Sequence, residues 1–274
     1  GAIQFIPEEN EDALITQPYS EQVQWLSESE FNERMHLILE NQASQRLSSD
    51  LGQFSLAGAQ AKIALYRSPE TGAWGIPRGM TPTTHILKPA PPSFPGFVEN
   101  EHFCLSLAAA LGATSARSTV IHADDLPVIV LTRYDRHFQG GQYIRVHQED
   151  FCQAQAKYPD LKYQSDGGPS VEDIGNTIWD VSNDAVTDIR SFADALLLNF
   201  LISGTDGHAK NYSLLLAGNN QVRLAPTYDI ASSLPYPRQI SPHKAKLAMK
   251  IGSEYHLKKI EPRHWRTCAK QLRL

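Results

Sequence analysis

Gly204-Thr205-Asp206-Gly207-His208-Ala209-Lys210-Asn211 is the segment from which the rest of this chain can be interpreted. Before it, residues 192–202 are apolar nearly all round, which predicts a helix buried in the middle of a lobe. After it, residues 212–217 and 221–225 are joined by Gly218-Asn219-Asn220 and predict a β-hairpin. A polar loop therefore lies between a buried helix and a hairpin.

The spacing of Asp206 and Asn211, five positions apart, is that of a kinase catalytic loop. In such a loop the Asp accepts the proton of the attacking hydroxyl and the Asn holds a magnesium ion. Asp229 follows the hairpin, which returns the chain to the same end, so the three side chains can converge and supply oxygen ligands for magnesium. Asp and Gly are also ordinary turn formers, and the second acidic turn across the hairpin is what favours a site.

Upstream segments offer donors for phosphate groups. The run Gly58-Ala59-Gln60-Ala61-Lys62 could wrap phosphates with backbone N–H groups, although it has neither a G-x-G-x-x-G nor a Walker motif. Lys88 ends a predicted strand and could pair with phosphates, or could be a solvated edge charge. Glu101 could orient Lys88, or could be an acidic residue of a first helical turn.

The hydropathy pattern divides the chain into two regions. Residues 63–66, 85–88 and 127–132 predict strands of a small lobe with an antiparallel sheet. Residues 101–111 predict a helix with one apolar face, formed by Phe103, Cys104, Leu107, Ala108 and Leu111. Beyond a boundary near Arg133 the pattern becomes mostly helical. We therefore expect two domains, residues 1–132 and 133–274.

Composition excludes several classes of protein. The 274 residues carry 25 Lys and Arg against 30 Asp and Glu, and this net charge of −5 argues against a protein that simply coats nucleic acid. Three scattered cysteines make neither a disulfide framework nor a zinc site and indicate a reducing cytoplasm. No apolar run approaches the roughly 20 residues that span a bilayer, so we expect a cytoplasmic protein without a membrane partner.

Five ordered motifs together resemble the HipA toxin kinases. They extend over most of the chain and are residues 54–62 (FSLAGAQAK), 82–88 (PTTHILK), 165–169 (SDGGP), 205–211 (TDGHAKN) and 228–230 (YDI).

The resemblance implies an α+β, two-lobed protein kinase-like fold with a smaller β-rich N-lobe and a mostly helical C-lobe. It implies that Asp206 is the general base and that Asn211 and Asp229 hold Mg²⁺. The remaining implied positions are nucleotide contacts at Ala57, Gly58, Ala59, Gln60, Ala61, Lys62, Lys88, His208, Lys210 and Tyr228, adenine contacts by backbone groups of Thr132, Arg133 and Tyr134, and autophosphorylation at Ser55.

By the same resemblance, the protein uses ATP and Mg²⁺ to phosphorylate serine or threonine of an aminoacyl-tRNA synthetase, most familiarly glutamyl-tRNA synthetase. Such phosphorylation inhibits translation and causes growth arrest and persistence. Autophosphorylation at Ser55 is expected to inhibit the enzyme, since a phosphate would enter a loop built to bind phosphates. The expected partner is a HipB-type helix-turn-helix antitoxin, with operator DNA reached through the antitoxin.

Two alternatives remain at this level. The chain could be a kinase relative that acts on small molecules, because acceptor specificity lies in loops. It could also be a non-catalytic relative that binds nucleotide and antitoxin, because family members usually carry an N-terminal subdomain and further C-terminal helices. The chain is accordingly expected to be a fragment, or a variant that lacks these terminal subdomains.

Overall fold

A computed structural model of the chain describes residues 19–40, 60–140 and 142–274, which divide between two compact units. The first unit draws on Gly1–His102 and Arg117–Arg145, and the second on Phe103–Ala116 and Val146–Leu274. The functional domains expected at 1–132 and 133–274 stay a prediction.

A six-stranded antiparallel sheet forms the centre of the first unit, in the order β1-β3-β2-β4-β6-β5. Its strands are β1 (Val23–Trp25), β2 (Ile63–Arg67), β3 (Trp74–Pro77), β4 (His85–Pro89), β5 (Ser118–Ala123) and β6 (Leu126–Thr132). The strands predicted at 63–66, 85–88 and 127–132 are therefore β2, β4 and β6. A separate hairpin of β7 (Arg136–Gln139) and β8 (Gln142–Arg145) belongs to the same unit.

Helix α1 (Glu28–Glu40) packs on this sheet through Phe31, Met35 and Ile38. Its first turn is capped reciprocally by Ser27 and Glu30: the Glu30 N–H donates to Ser27 Oγ, and the Ser27 N–H donates to Glu30 Oε2. Leu65, Leu87 and Val128 complete the buried cluster from the sheet side.

Helix α2 (Phe97–Ala110) begins one turn before the predicted start at Glu101, and its buried face differs from the predicted one. Phe103 and Leu111 are exposed, whereas Val98, Glu101, Cys104, Leu105 and Ala108 are buried. Cys104 and Ala108 of the predicted face are thus buried as expected, whereas the prediction was wrong for Phe103 and Leu111, because the buried face includes Glu101 and Leu105 instead. A charged group can lie on a buried helix face when a partner neutralises it.

The second unit is mostly helical. Its further helices are α3 (Phe151–Ala154), α4 (Val171–Val181), α5 (Ala185–Leu201) and α6 (Pro262–Gln271). They enclose a core that includes Phe151, Ile174, Ile189, Phe192 and Met249. The helix predicted at 192–202 is α5, which begins earlier and is capped by Asp184. Its predicted burial all round is wrong, since Leu197 and Leu201 are exposed.

A three-stranded antiparallel sheet, in the order β11-β10-β9, accompanies these helices. It consists of β9 (His147–Asp150) and the predicted hairpin, β10 (Ser213–Ala217) and β11 (Gln221–Leu224). A second hairpin, β12 (Lys246–Ile251) and β13 (Glu254–His256), precedes α6. The sequence pattern did not predict β9, β12 or β13.

The three cysteines, Cys104, Cys152 and Cys268, are reduced and buried, and all lie in the second unit. Burial raises the pKa of the Cys268 thiol to about 11. Within the described ranges, no helix is both long enough and apolar enough to cross a bilayer.

Candidate active site

The loop that carries Asp206 packs against a buried asparagine of α5, Asn199. Asn199 donates from Nδ2 to the Ala195 carbonyl at 3.1 Å and to the Tyr212 hydroxyl at 3.0 Å. A Cβ at Gly204 would lie 2.2 Å from Asn199 Oδ1, so only glycine lets the loop approach this closely. Gly204 is thus required for the close packing of the loop that carries Asp206.

The Asp206 side chain is 72% exposed. Its Oδ1 accepts a hydrogen bond from the Tyr163 hydroxyl at 2.5 Å. Its Oδ2 lies 3.9 Å from Nε2 of His208, which is beyond hydrogen-bond distance. A carboxylate in this setting has one oxygen engaged and the other accessible, as a general base requires.

His208 is buried, and burial is the main reason that the pKa of its imidazole is lowered; nearby Lys162 acts in the same direction. The negative charge of Asp206 opposes this shift in part. The imidazole is therefore neutral at neutral pH. The backbone N–H of His208 donates to Oδ1 of Asn211 at 3.1 Å. The nucleotide contact implied for His208 stays a prediction.

Asn211 and Asp229 meet as expected. Asn211 Nδ2 lies 3.2 Å from Asp229 Oδ2 and 3.4 Å from the Asp229 carbonyl oxygen. Asp229 has a positive φ of 57°, a left-handed conformation that is uncommon outside glycine and is enriched at functional sites.

The residues present fit a magnesium ion. Asp229 supplies a carboxylate, and Asn211 Oδ1 has a second lone pair beyond the one that accepts from His208. Within the described ranges no three His, Cys, Asp or Glu side chains cluster as metal ligands. One carboxylate and one amide oxygen suit magnesium, which completes its shell with water and phosphate oxygens.

Lys210 and Tyr228, two predicted nucleotide contacts, are engaged within the second unit. Lys210 Nζ forms a largely buried ion pair with Asp150 Oδ2 at 2.5 Å. The Tyr228 hydroxyl donates to the Lys210 carbonyl at 2.7 Å and lies 2.5 Å from Ser213 Oγ. These contacts tie the loop to β9 and β10, and a nucleotide role for either residue stays a prediction.

Lys88 and Glu101 form a buried ion pair in the first unit. Nζ lies 2.7 Å from Oε1, and the side chains are 6% and 1% exposed. The lysine predicted to contact phosphates is therefore held by the glutamate predicted to orient it. Both alternative interpretations, a solvated edge charge and a plain helix-start acid, are wrong.

Two residues of the predicted adenine segment, Thr132 and Arg133, are hydrogen-bonded to the sheet and its loops. The N–H of Thr132 donates to the Arg117 carbonyl and that of Arg133 to the Thr84 carbonyl, both at 2.9 Å. The Arg133 guanidinium binds the Asp135 carboxylate through two hydrogen bonds. Adenine contacts by backbone groups of Thr132, Arg133 or Tyr134 stay a prediction, and two of their N–H groups already have acceptors.

The predicted phosphate loop is described only in part. Lys62 and Ala61 are buried and Gln60 is partly buried. Ser55, Ala57, Gly58 and Ala59 lie outside the described residues.

The sequence analysis gave no role to two residues whose side chains bind charged groups of the loop, Tyr163 on Asp206 and Asp150 on Lys210. Tyr163 stands two positions before the quoted motif at 165–169. Its closeness to this motif was the sequence signal for Tyr163, because a glycine motif indicates a constrained backbone but does not identify the residues that it contacts.

Comparison with known proteins gives concordant results. A family model described as the HipA-like C-terminal domain matches residues 54–274. The chain is 40% identical over 220 residues to the protein Y4mE of Sinorhizobium fredii, an alignment that covers 80% of this chain and 51% of Y4mE. It is 27% identical to the serine/threonine-protein kinase toxin HipA of Shewanella oneidensis, with 74% of this chain and 48% of that protein covered. The chain thus spans about half the length of these curated relatives.

Two solved structures show the same fold. One is HipA from a Shewanella oneidensis complex of HipA, HipB and operator DNA, with a TM-score of 0.77 at 23% identity, covering 100% of this chain and 63% of that one. The other is the Helicobacter pylori proinflammatory kinase CtkA, with a TM-score of 0.52 at 13% identity, covering 81% of this chain and 78% of that one. The predicted α+β kinase-like fold is therefore confirmed, and the match over residues 54–274 places the chain in the HipA-like C-terminal domain family.

Proposed function

We propose that this chain is the catalytic part of an ATP-dependent serine/threonine protein kinase. The observation that carries the proposal is the contact of Asn211 with Asp229 in the second unit, on the same loop that presents the exposed carboxylate of Asp206. This combination provides a candidate base and a candidate magnesium site, the two requirements that a phosphoryl-transfer loop must meet.

Each residue has a defined task in this proposal. Asp206 accepts the proton of the acceptor hydroxyl as its oxygen bonds to the γ-phosphorus and the bond to the leaving ADP breaks. Asn211 and Asp229 would hold Mg²⁺, which neutralises charge on the phosphate oxygens when bound. Lys88 donates to a phosphate oxygen, and its buried ion pair with Glu101 limits the reorganisation needed during transfer.

The finer assignments rest on the relatives. The name of the Shewanella oneidensis protein supports a toxin, and the complex of that protein with HipB and operator DNA supports a HipB-type antitoxin as partner. We extend the proposal to an aminoacyl-tRNA synthetase as the acceptor, glutamyl-tRNA synthetase first, with growth arrest and persistence as the outcome. Inhibitory autophosphorylation at Ser55 belongs to the same extension, as do ATP and Mg²⁺ as the nucleotide and metal.

The test is incubation of the purified protein with Mg²⁺ and γ-labelled ATP, alone and with a cell lysate. Mass spectrometry then locates the label. We expect label on serine or threonine, and we expect Asp206→Ala to reduce its incorporation by about 10²- to 10⁴-fold with an unchanged unfolding midpoint. Asp194→Ala, at an exposed position of α5, is the matched control and should transfer phosphate like the wild type.

Two results would contradict the proposal. ATP binding without transfer would identify a non-catalytic nucleotide binder. Label confined to small molecules would identify a different class of kinase. Loss of folding in Asp206→Ala would mean that the exposed loop supports the core, so that activity loss carries no chemical information.

A further inference from the structure

The only hydrogen bond to the Asp206 carboxylate, among the residues that the structure describes, comes from Tyr163. Tyr163 is 43 positions earlier in the sequence, in the segment between α3 and α4. An exposed aspartate side chain samples several rotamers, whereas a general base must point at the proton that it removes. The Tyr163 hydroxyl is thus the contact that restricts Asp206 to one orientation.

Tyr163 is itself held in place by the glycine motif that follows it. The N–H groups of Asp166 and Gly168 both donate to the Tyr163 carbonyl at 3.0 Å. A Cβ at Gly168 would lie 2.2 Å from the Leu161 carbonyl oxygen and 2.8 Å from that of Tyr163. Glycine is therefore required at 168 for the chain to fold back on the segment that carries Tyr163.

A second connection joins this segment to the loop of Asp206. The Ala209 N–H donates to the Lys162 carbonyl at 3.2 Å, and the rings of Tyr163 and His208 meet edge to face at 5.2 Å. Lys162 Nζ lies 5.0 Å from the centre of the Tyr163 ring. Backbone, ring and hydroxyl contacts all direct Tyr163 to the same short loop.

The Tyr163 hydroxyl acts as a donor over the whole physiological pH range. Burial first, and then the hydrogen bond to Asp206, raise the pKa of this phenol well above its usual value. The phenol therefore does not titrate where a catalytic carboxylate does. The charge of Asp166 also acts on Tyr163, and the charges of Lys162 and Asp229 act on the neighbouring His208.

We propose that Tyr163 is a positioning residue for phosphoryl transfer: its hydroxyl fixes Asp206 through Oδ1 and leaves Oδ2 to accept the proton of the acceptor hydroxyl. The proposal rests on the proposed kinase function. It assigns the glycine motif at 165–169 a task, which is to rigidify the segment that carries this hydroxyl. Loss of the hydroxyl leaves the Asp206 carboxylate present but lets it adopt several orientations.

The test compares the wild type with Tyr163→Phe, using ADP formation from Mg-ATP, which counts transfer to any hydroxyl acceptor. We expect kcat to fall about 10-fold, a part of what a general base contributes, with the KM for ATP changed by less than about 2-fold. A lower kcat at an unchanged KM and an unchanged unfolding midpoint is the result expected when the base is present but no longer held in its orientation.

Tyr158→Phe is the matched control, because Tyr158 lies in the same segment and its side chain is exposed. It should retain the kcat and the KM of the wild type, and all three proteins should share an unfolding midpoint. A merely structural role of Tyr163 would instead lower the unfolding midpoint of Tyr163→Phe together with its activity.

Three outcomes would overturn the inference while the wild type is active. Unchanged kcat in Tyr163→Phe would show that the hydroxyl does nothing for transfer. A higher kcat would show that Tyr163 occupies the place of the acceptor and blocks it. Phosphotyrosine at position 163 would show that it is an acceptor. A wild type that forms no ADP would instead overturn the kinase proposal, and with it this role.

Discussion

Lys88 and Asp206, each in its own unit, are both proposed to act on phosphate transfer, and the protein holds them in opposite ways. Lys88 lies in strand β4 of the six-stranded sheet and is buried against Glu101. Asp206 stands on a loop, mostly exposed, and is held by a single phenol hydroxyl. The lysine proposed to bind phosphate charge is part of the folded core, whereas the aspartate proposed to accept a proton is accessible.

This difference indicates which substitutions should change stability and which should change activity alone. A buried charge without its partner carries an uncompensated desolvation cost, so the lysine–glutamate pair must be coupled to folding. An exposed carboxylate has no such cost, and its replacement should affect chemistry alone. Substitutions in the two regions should therefore have opposite signatures.

The largest expected effect is on the buried pair. Glu101→Ala leaves the Lys88 ammonium without its carboxylate and should lower the free energy of unfolding by about 3–5 kcal/mol, measured by urea denaturation. The double variant Lys88→Met/Glu101→Leu should lose less stability than Glu101→Ala and bind ATP poorly. Glu99→Gln, at an exposed position of the same helix, should stay within about 0.5 kcal/mol of the wild type. A Glu101→Ala protein of wild-type stability would remove the contrast between the two regions.

An intermediate effect, on activity alone, is expected at Asp229. Asp229→Asn removes the carboxylate that would bind magnesium but tolerates the left-handed backbone at φ 57°. Magnesium-dependent transfer should fall about 100-fold, since a metal contributes several kcal/mol to charge stabilisation. The unfolding midpoint should stay near that of the wild type. A large loss of stability without a change in magnesium dependence would place Asp229 among the structural residues.

The smallest effect concerns pH and the sheet unit. Burial, and then the charge of Arg67, lower the pKa of His85 from 6.5 to about 4. Between those two pH values the unfolded chain binds the proton that the folded one excludes, so the stability contributed by the neutral imidazole is lost as pH falls. His85→Gln should make the free energy of unfolding less sensitive to acid, compared at pH values near 7 and near 4.5 by urea denaturation. His122→Gln, exposed on β5, is the control; an equal change in both variants would contradict this assignment.

Local pattern sufficed for the elements around the candidate site. The apolar run of β6 and the helix and hairpin that flank the loop depend on near neighbours in the sequence, so periodicity identifies them. The Asp206 to Asn211 spacing is likewise local. The Lys88–Glu101 pair could be predicted from the sequence because only 13 positions separate its members.

Pairings between distant segments were not predictable in this way. Tyr163 reaches Asp206 across 43 positions and Lys210 reaches Asp150 across 60, and no local periodicity records either. Strand β9 was missed because its four residues, His147 to Asp150, are all polar and pair at a sheet edge through backbone groups. The buried face of helix α2 was predicted only in part, because apolar periodicity takes no account of a glutamate that is buried by a lysine from a neighbouring strand.

The positions of the thiols make cysteine alkylation a probe of local opening in the second unit. Cys104, Cys152 and Cys268 are all interior to that unit. An alkylating reagent can reach them only when the packing around them opens, because a thiol that is buried and protonated reacts slowly. The rate of alkylation therefore measures how often the second unit opens. Opening of the first unit does not contribute, because none of the three cysteines lies in that unit.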